Sequence, residues 1–383
     1  MPAGSTWKYP GEEPAPVHDG FLRDRRSGSL RLGAITVHRL SIPVLALTLG
    51  LAGCTRTVTT APAPAAPAAP TPAAATMQRR AFTPGRDGQP VLEGISYGPF
   101  RAGQRPGGPS PTPEQIAEDL RILAPHWGML RVYGSREPTE TILRTIHEQD
   151  LPIQVVVGAW ISAPDQPDAA ASDAAEVAEA IRLANTWPDE VLAVSVGNET
   201  QVAWSGHRSD RDALIGHIRT VRRAISQPVT TADDYNFWNK PESQAVADEV
   251  DFLMLHAYAM WNQQSLDDAV AWTDRTVDDI ESHHPGLQVI LSETGWATGL
   301  NPEGREIEHI KAPAGEAEQA RFYAELRAWA ADRGEPWFVF EAFDEPWKGS
   351  EDPREVEKHW GLYTVDRTPK IAMQPPAVQE PEP

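Results

Sequence analysis

From residue 91 the chain alternates short apolar runs with longer amphipathic stretches. The apolar runs cover 91–98, 128–134, 152–160, 191–199, 228–234, 252–259, 288–296 and 336–345. Segments such as Ile153-Gln154-Val155-Val156-Val157 and Trp337-Phe338-Val339-Phe340 are almost continuously apolar, as are strands buried on both faces of a parallel sheet. The stretches between them carry helix signals. Thr112-Pro113-Glu114-Gln115 supplies an N-cap, a first-turn proline and an acidic first turn, and Ile116, Leu120 and Leu123 follow at helical spacing. Eight such alternations predict a single (β/α)8 barrel over residues 91–370. An open doubly wound sheet is the alternative.

Chemistry in a (β/α)8 barrel sits at the C-terminal ends of the strands. The polar and aromatic residues at those ends are Tyr97, Tyr133, Trp160, Asn198, Glu199, Asp233, Asp234, Tyr258, Glu293, Asp344 and Glu345.

Upstream of the barrel the pattern changes. Residues 40–53 are uncharged and mostly apolar, and Arg23, Arg25, Arg26, Arg31 and Arg39 precede them. The run is too short to span a bilayer, which needs about 20 residues, and reads as an export signal. It ends in Leu51-Ala52-Gly53-Cys54, which resembles the bacterial lipoprotein box. The resemblance implies removal of residues 1–53, lipidation of Cys54, and attachment to a membrane of the bacterial cell envelope, at the outer membrane or cell surface. Residues 54–90, rich in Ala, Pro and Thr, are expected to form a disordered linker, and 371–383 a disordered tail.

The formal net charge of −20 repels phosphate backbones, so nucleic acid is not an expected partner. Cys54 is the only cysteine, and no zincin pair or phosphate loop is present. Catalysis is therefore expected from side chains alone, without cofactor or metal, in a monomer.

Glu199 ends Val194-Ser195-Val196-Gly197-Asn198 and Glu293 ends Val289-Ile290-Leu291-Ser292, the fourth and seventh strands. A carboxylate closing an apolar strand is costly unless it is paired or lines a cleft. Two of them at one barrel mouth fit glycoside hydrolysis, which places two carboxyls about the scissile bond.

Val196-Gly197-Asn198-Glu199 and Ser292-Glu293-Thr294-Gly295-Trp296 resemble the two signatures of glycoside hydrolase family 17, which contains β-1,3-glucanases and glucosyltransferases. Gly94-Ile95-Ser96-Tyr97-Gly98, Leu130-Arg131-Val132-Tyr133 and the block from Phe340 to Lys348, continued by Glu357 to Tyr363, are similar in the same order. The resemblance implies a retaining β-glucan hydrolase with Glu199 as acid/base and Glu293 as nucleophile. It implies that Asn198 meets the sugar 2-hydroxyl and that Tyr258 orients Glu293. Tyr97 and Tyr133 would floor the subsite at the cleavage point, and Glu345, Lys348 and Glu357 would line the glycone side. Thr200 after the acid and Ala297-Thr298 after Trp296 depart from the plant pattern, which puts plant-style endo action in doubt.

Indole rings suit the apolar faces of sugars, and Trp296 and Trp204, beside the two glutamates, are the candidate platforms. His256, alone in a barrel wall, is expected to be structural, and Asp233 and Asp234 are left between sugar binding and helix capping. Two rival functions remain: a β-1,3-glucan transglycosylase, and a non-catalytic glucan-binding envelope lipoprotein, which would be expected to have lost a carboxylate.

Overall fold

The computed structural model describes residues 77–86 and 88–374. The expectations for residues 1–76, Cys54 included, and for 375–383 lie outside the described residues. Eight parallel strands close into a barrel in chain order: β1 (Glu93–Ser96), β2 (Met129–Val132), β3 (Gln154–Ala159), β4 (Val191–Asn198), β5 (Val229–Asp234), β6 (Leu253–His256), β7 (Val289–Glu293) and β8 (Trp337–Val339). β8 closes the ring on both sides, pairing Trp337 with Glu93 of β1 and with Leu291 of β7.

The helices α1 (Pro113–Leu123), α2 (Thr139–Glu148), α3 (Ala169–Thr186) and α4 (Arg211–Ala224) follow β1 to β4. Two one-turn helices, α5 (Tyr235–Trp238) and α6 (Gln244–Ala247), take the place of one helix after β5. Then come α7 (Leu266–His283) and α8 (Glu316–Arg333). The start of α1 is the predicted one: Thr112 Oγ1 accepts from Gln115 N, and Gln115 Oε1 accepts from Thr112 N. Ile116, Leu120 and Leu123 are buried against the barrel.

Met129, Val156, Ala193, Ala232, Phe252, Met254, Ile290 and Phe338 pack together as the filling of the barrel. Gly94 leaves room for this layer, because a Cβ there would stand 2.4 Å from the Phe338 ring. Side chains alternate along a strand, so the next inward positions, toward the C-terminal ends, include Ser96, Arg131 and His256. The interior thus turns from apolar to polar at one mouth.

The opposite mouth is closed by residues the linker expectation had assigned elsewhere. Phe82 is 1% exposed and stacks on Phe252 with ring centroids 4.4 Å apart. Arg80 donates to the carbonyls of Gln227 and Arg222, each at 2.7 Å, and Arg79 to those of Val250 and Ala247. A short hairpin, Gly85–Arg86 with Gln89–Pro90, leads into β1. The ordered domain therefore begins before residue 91: the Ala/Pro/Thr-rich stretch ends before these arginines and Phe82. At the other end Ile371–Met373 forms a 3-10 turn against α8, so the first residues of the expected tail belong to the domain too.

Candidate active site

A local backbone distortion delivers the first carboxylate. The pairing of β4 with β5 shifts register between Ser195 and Asn198. Gly197 has φ 82° and Glu199 φ 49°, both in the left-handed region. A bulge of this kind re-aims side chains at a barrel rim. Asp233 secures the turn, its carboxylate accepting from the backbone N–H groups of Gln201 and Val202 at 2.8 and 3.2 Å.

Glu199 is 1% exposed. Its Oε1 lies 2.9 Å from His256 Nδ1, and its buried Oε2 has no hydrogen-bond partner among the described residues. Burial, with Glu293, Asp234 and Asp233 nearby, pushes the Glu199 carboxyl well above the usual range.

Glu293 is the last residue of β7 and is also buried, yet it is surrounded by donors. Its Oε1 is bonded by the Arg131 guanidinium and by the Tyr133 hydroxyl at 3.0 Å. Its Oε2 accepts from the Tyr258 hydroxyl at 2.7 Å. His256 Nε2 stands 3.2 Å from Oε1 without an aligned hydrogen bond. Burial opposes ionisation of Glu293, and the cationic and donor groups outweigh it, holding the carboxyl below the usual range. An imidazolium at His256 would add to this, but burial depresses the His256 pKa to about 3. The ring is neutral near pH 7, and Arg131 with the two hydroxyls carries the effect. Two glutamates in one cavity are thus driven apart, one toward the acid and one toward the carboxylate.

Arg131 also donates to Asn198 Oδ1 at 2.6 Å, so the Asn198 amide nitrogen is turned away from the arginine. Glu199, Glu293, Asn198, Tyr133 and Tyr258 are therefore gathered at one mouth. Glu345 and Lys348 form a second buried group with Glu341: Lys348 Nζ lies 2.6 Å from Glu341 Oε2 and 2.8 Å from Glu345 Oε2. The ammonium sits 4.4 Å from the centre of the Phe340 ring, which packs edge-on to Tyr258. Glu357 is buried on the 3-10 turn Val356–Lys358.

Two expected substrate contacts are elsewhere. Tyr97 follows the inward Ser96 and so faces outward, where its hydroxyl donates to Asp119 of α1 at 3.1 Å. Trp296 is 1% exposed, donates to the Pro313 carbonyl and packs tilted against Phe322 of α8, ring centroids 5.3 Å apart. Just beyond Glu293, Gly295 is pressed so close to the Phe340 carbonyl that a Cβ would lie 2.2 Å from it. A ring packed under a helix offers no face to a sugar. Trp160 lies 4.8 Å from the His207 ring, whose Nε2 lies 2.7 Å from the carbonyl of Asn198, the residue before Glu199. Asp233 and Asp234 prove to be backbone caps, Asp234 accepting from Asn236 N at the start of α5.

Arg131 and His256 were not singled out for the site by sequence, and His256 was expected to be structural. The signal for Arg131 was a charged residue inside the apolar run Met129–Val132. For His256 it was two-residue spacing from Tyr258, which places both at the same mouth.

Residues 94–361 match the BtgE/BtgC glycoside hydrolase domain model. A glucan 1,3-beta-glucosidase of Arthroderma benhamiae is 28% identical over 285 residues, 70% of this chain and 87% of that protein. A putative glucan endo-1,3-beta-glucosidase of Aspergillus niger is 29% identical over 286 residues, 70% of this chain but only 40% of that longer protein. Among solved structures, an endo-laminarinase from Formosa superposes with a TM-score of 0.65 and 27% identity, covering 73% of this chain and 85% of that one. A β-1,3-glucanosyltransferase of Rhizomucor miehei, solved as an active-site mutant with laminaritriose, shares the fold at a TM-score of 0.60 and 23% identity, over 74% and 97% of the two chains.

Proposed function

The chain belongs to the BtgE/BtgC glycoside hydrolase domain family, and from that premise we propose that it cleaves β-1,3-glucan with retention, using Glu199 as acid/base and Glu293 as nucleophile. The observation that carries the roles is the contrast between the two carboxyls. Glu293 receives hydrogen bonds from Arg131, Tyr133 and Tyr258, while one buried oxygen of Glu199 has no partner among the described residues. Both carboxyls approach nitrogens of the one His256 ring, at 2.9 and 3.2 Å, so the two glutamates share one cavity.

In the first step a Glu293 oxygen attacks the anomeric carbon as the glycosidic bond breaks, and Glu199 gives its proton to the departing oxygen. In the second, Glu199 as carboxylate takes a proton from water, whose oxygen displaces Glu293 from the glycosyl ester. The Asn198 amide, whose oxygen Arg131 engages, would donate to the sugar 2-hydroxyl. The β-1,3 linkage is taken from the names of the relatives.

Purified protein acting on laminarin, with the anomer of the first product followed by NMR, tests the proposal. Retention predicts the β-anomer first. Glu293→Ala should be inactive, and Glu199→Ala should fail on laminarin but cleave aryl β-glucosides with good leaving groups. Release of the α-anomer, or wild-type rates in either variant, would overturn it. Transfer to a sugar hydroxyl in place of water is the second reading, suggested by the β-1,3-glucanosyltransferase that shares this fold. It predicts longer products at high acceptor concentration. Attachment through Cys54 to a bacterial envelope membrane is proposed separately. Cys54→Ala should then shift the protein from the membrane to the soluble fraction, and unchanged partitioning would refute it.

A further inference from the structure

A neutral histidine carries one N–H, and which nitrogen holds it is set by the neighbours. His256 is fully buried and faces a carboxyl on each side. On the Nδ1 side Glu199 Oε1 is at 2.9 Å with hydrogen-bond geometry. On the Nε2 side Glu293 Oε1 is at 3.2 Å, but no aligned bond forms, and that oxygen already receives Arg131 and Tyr133. The nitrogen with a bond to make is Nδ1.

A protonated carboxyl is asymmetric. Its carbonyl oxygen accepts hydrogen bonds, while the other oxygen carries the proton. An oxygen already receiving an N–H is therefore the poorer place for the acidic hydrogen. Glu199 Oε2 is buried and without a partner among the described residues, whereas Oε1 is occupied by the ring.

We propose that His256 is a positioning residue that donates Nδ1–H to Glu199 Oε1 and thereby assigns the transferable proton to Oε2. The proposal rests on Glu199 being the general acid. In the first half of the reaction the histidine reserves one oxygen, so the proton waits on the oxygen that faces the leaving group. In the second half the same N–H donates to the ionised carboxylate, a stronger bond, and supports Glu199 as base. The ring neither gains nor loses a proton in either half. The groups facing Glu199 are His256 of β6, Glu293 of β7, Asp233 and Asp234 of β5, and Arg131 of β2. Burial and the carboxylates of Glu293, Asp234 and Asp233 raise the Glu199 pKa, and Arg131 lowers it.

Asparagine and glutamine separate the two nitrogens. An Asn amide reaches roughly where Nδ1 stands, and a Gln amide roughly where Nε2 stands. Wild type, His256→Asn and His256→Gln are compared on laminarin and on an aryl β-glucoside whose leaving group needs no protonation. His256→Gln should lose on the order of 10- to 100-fold in laminarin kcat/KM, the worth of one hydrogen bond to a charged group. It should keep first-step turnover of the activated glucoside, seen as the phenol burst, and its basic pH limb on laminarin should move upward. His256→Asn should recover most of the laminarin loss and return the limb. Recovery by Gln and not Asn would place the N–H on Nε2 and overturn the inference. So would equal losses on both substrates, which would mean that the ring serves Glu293 or the fold, as would an unmoved pH limb. A wild type inactive on both substrates would instead count against the hydrolase reading itself.

Discussion

Arg131 Nη2 donates to Asn198 Oδ1 at 2.6 Å, and this bond fixes which end of the asparagine amide the cleft sees. With the oxygen engaged, the NH2 group is the end left to donate, and under the proposed mechanism it would meet the sugar 2-hydroxyl. Asn198→Asp is nearly isosteric but replaces that donor with an acceptor and adds a carboxyl beside Arg131. The variant should fold, and its laminarin kcat/KM should fall by about 100-fold or more, comparable to loss of one preorganised donor. A 2-deoxyglucoside, which lacks the hydroxyl in question, should discriminate far less between wild type and variant. Equal discrimination would show that the amide does not meet the 2-position.

Arg131 is itself buried between Glu293, Tyr133 and Asn198. Removing it leaves a buried carboxylate without its cation, which typically costs about 3–5 kcal/mol. Arg131→Met should therefore unfold at markedly lower denaturant. Arg131→Met combined with Glu293→Gln should regain much of the loss, because the neutral amide needs no counter-charge. Additive losses in that double-mutant cycle, followed by urea titration, would contradict the pairing.

Burial raises the Asp234 carboxyl to about 7 despite its hydrogen bonds to Asn236. The folded pKa lies above the unfolded value of about 3.9. The unfolded chain thus releases this proton first, and stability falls as pH climbs from about 4 to 7. Asp234→Asn keeps the helix cap, since asparagine caps as well as aspartate, and removes the titration. Melting temperatures measured across that window should decline less steeply with pH in the variant. An unchanged slope would mean that Asp234 ionises normally.

Phe82 seals the barrel at the mouth away from the glutamates. Phe82→Ala should cost about 3–5 kcal/mol through the cavity left against Phe252, while kcat at a temperature where the variant is folded stays at the wild-type level. A fall in kcat without a fall in stability would contradict the separation of plug from site.

Much of this molecule was legible in the order of its residues. Eight apolar runs separated by helical spacing specify strands buried on both faces and the helices that cover them, and only a closed or doubly wound parallel sheet accommodates that pattern. Glu199 and Glu293 stood out because an ionisable group closing an apolar strand is costly without a purpose. Tertiary structure decided the directions. A strand buried on both faces has no polar alternation to show which side chains point inward, so Tyr97 could not be told from an inward neighbour, and Trp296 could not be told from a platform in the cleft. The environment of the two glutamates was also hidden, because it comes from closure of the ring. Arg131 on β2 meets Glu293 on β7, 162 residues later in the chain, and His256 on β6 falls between the two carboxyls. The sequence determined that two carboxylates share one mouth. The folded barrel decided which carboxyl is biased toward the carboxylate and which toward the acid, because those biases depend on donors and burial that distant strands bring together.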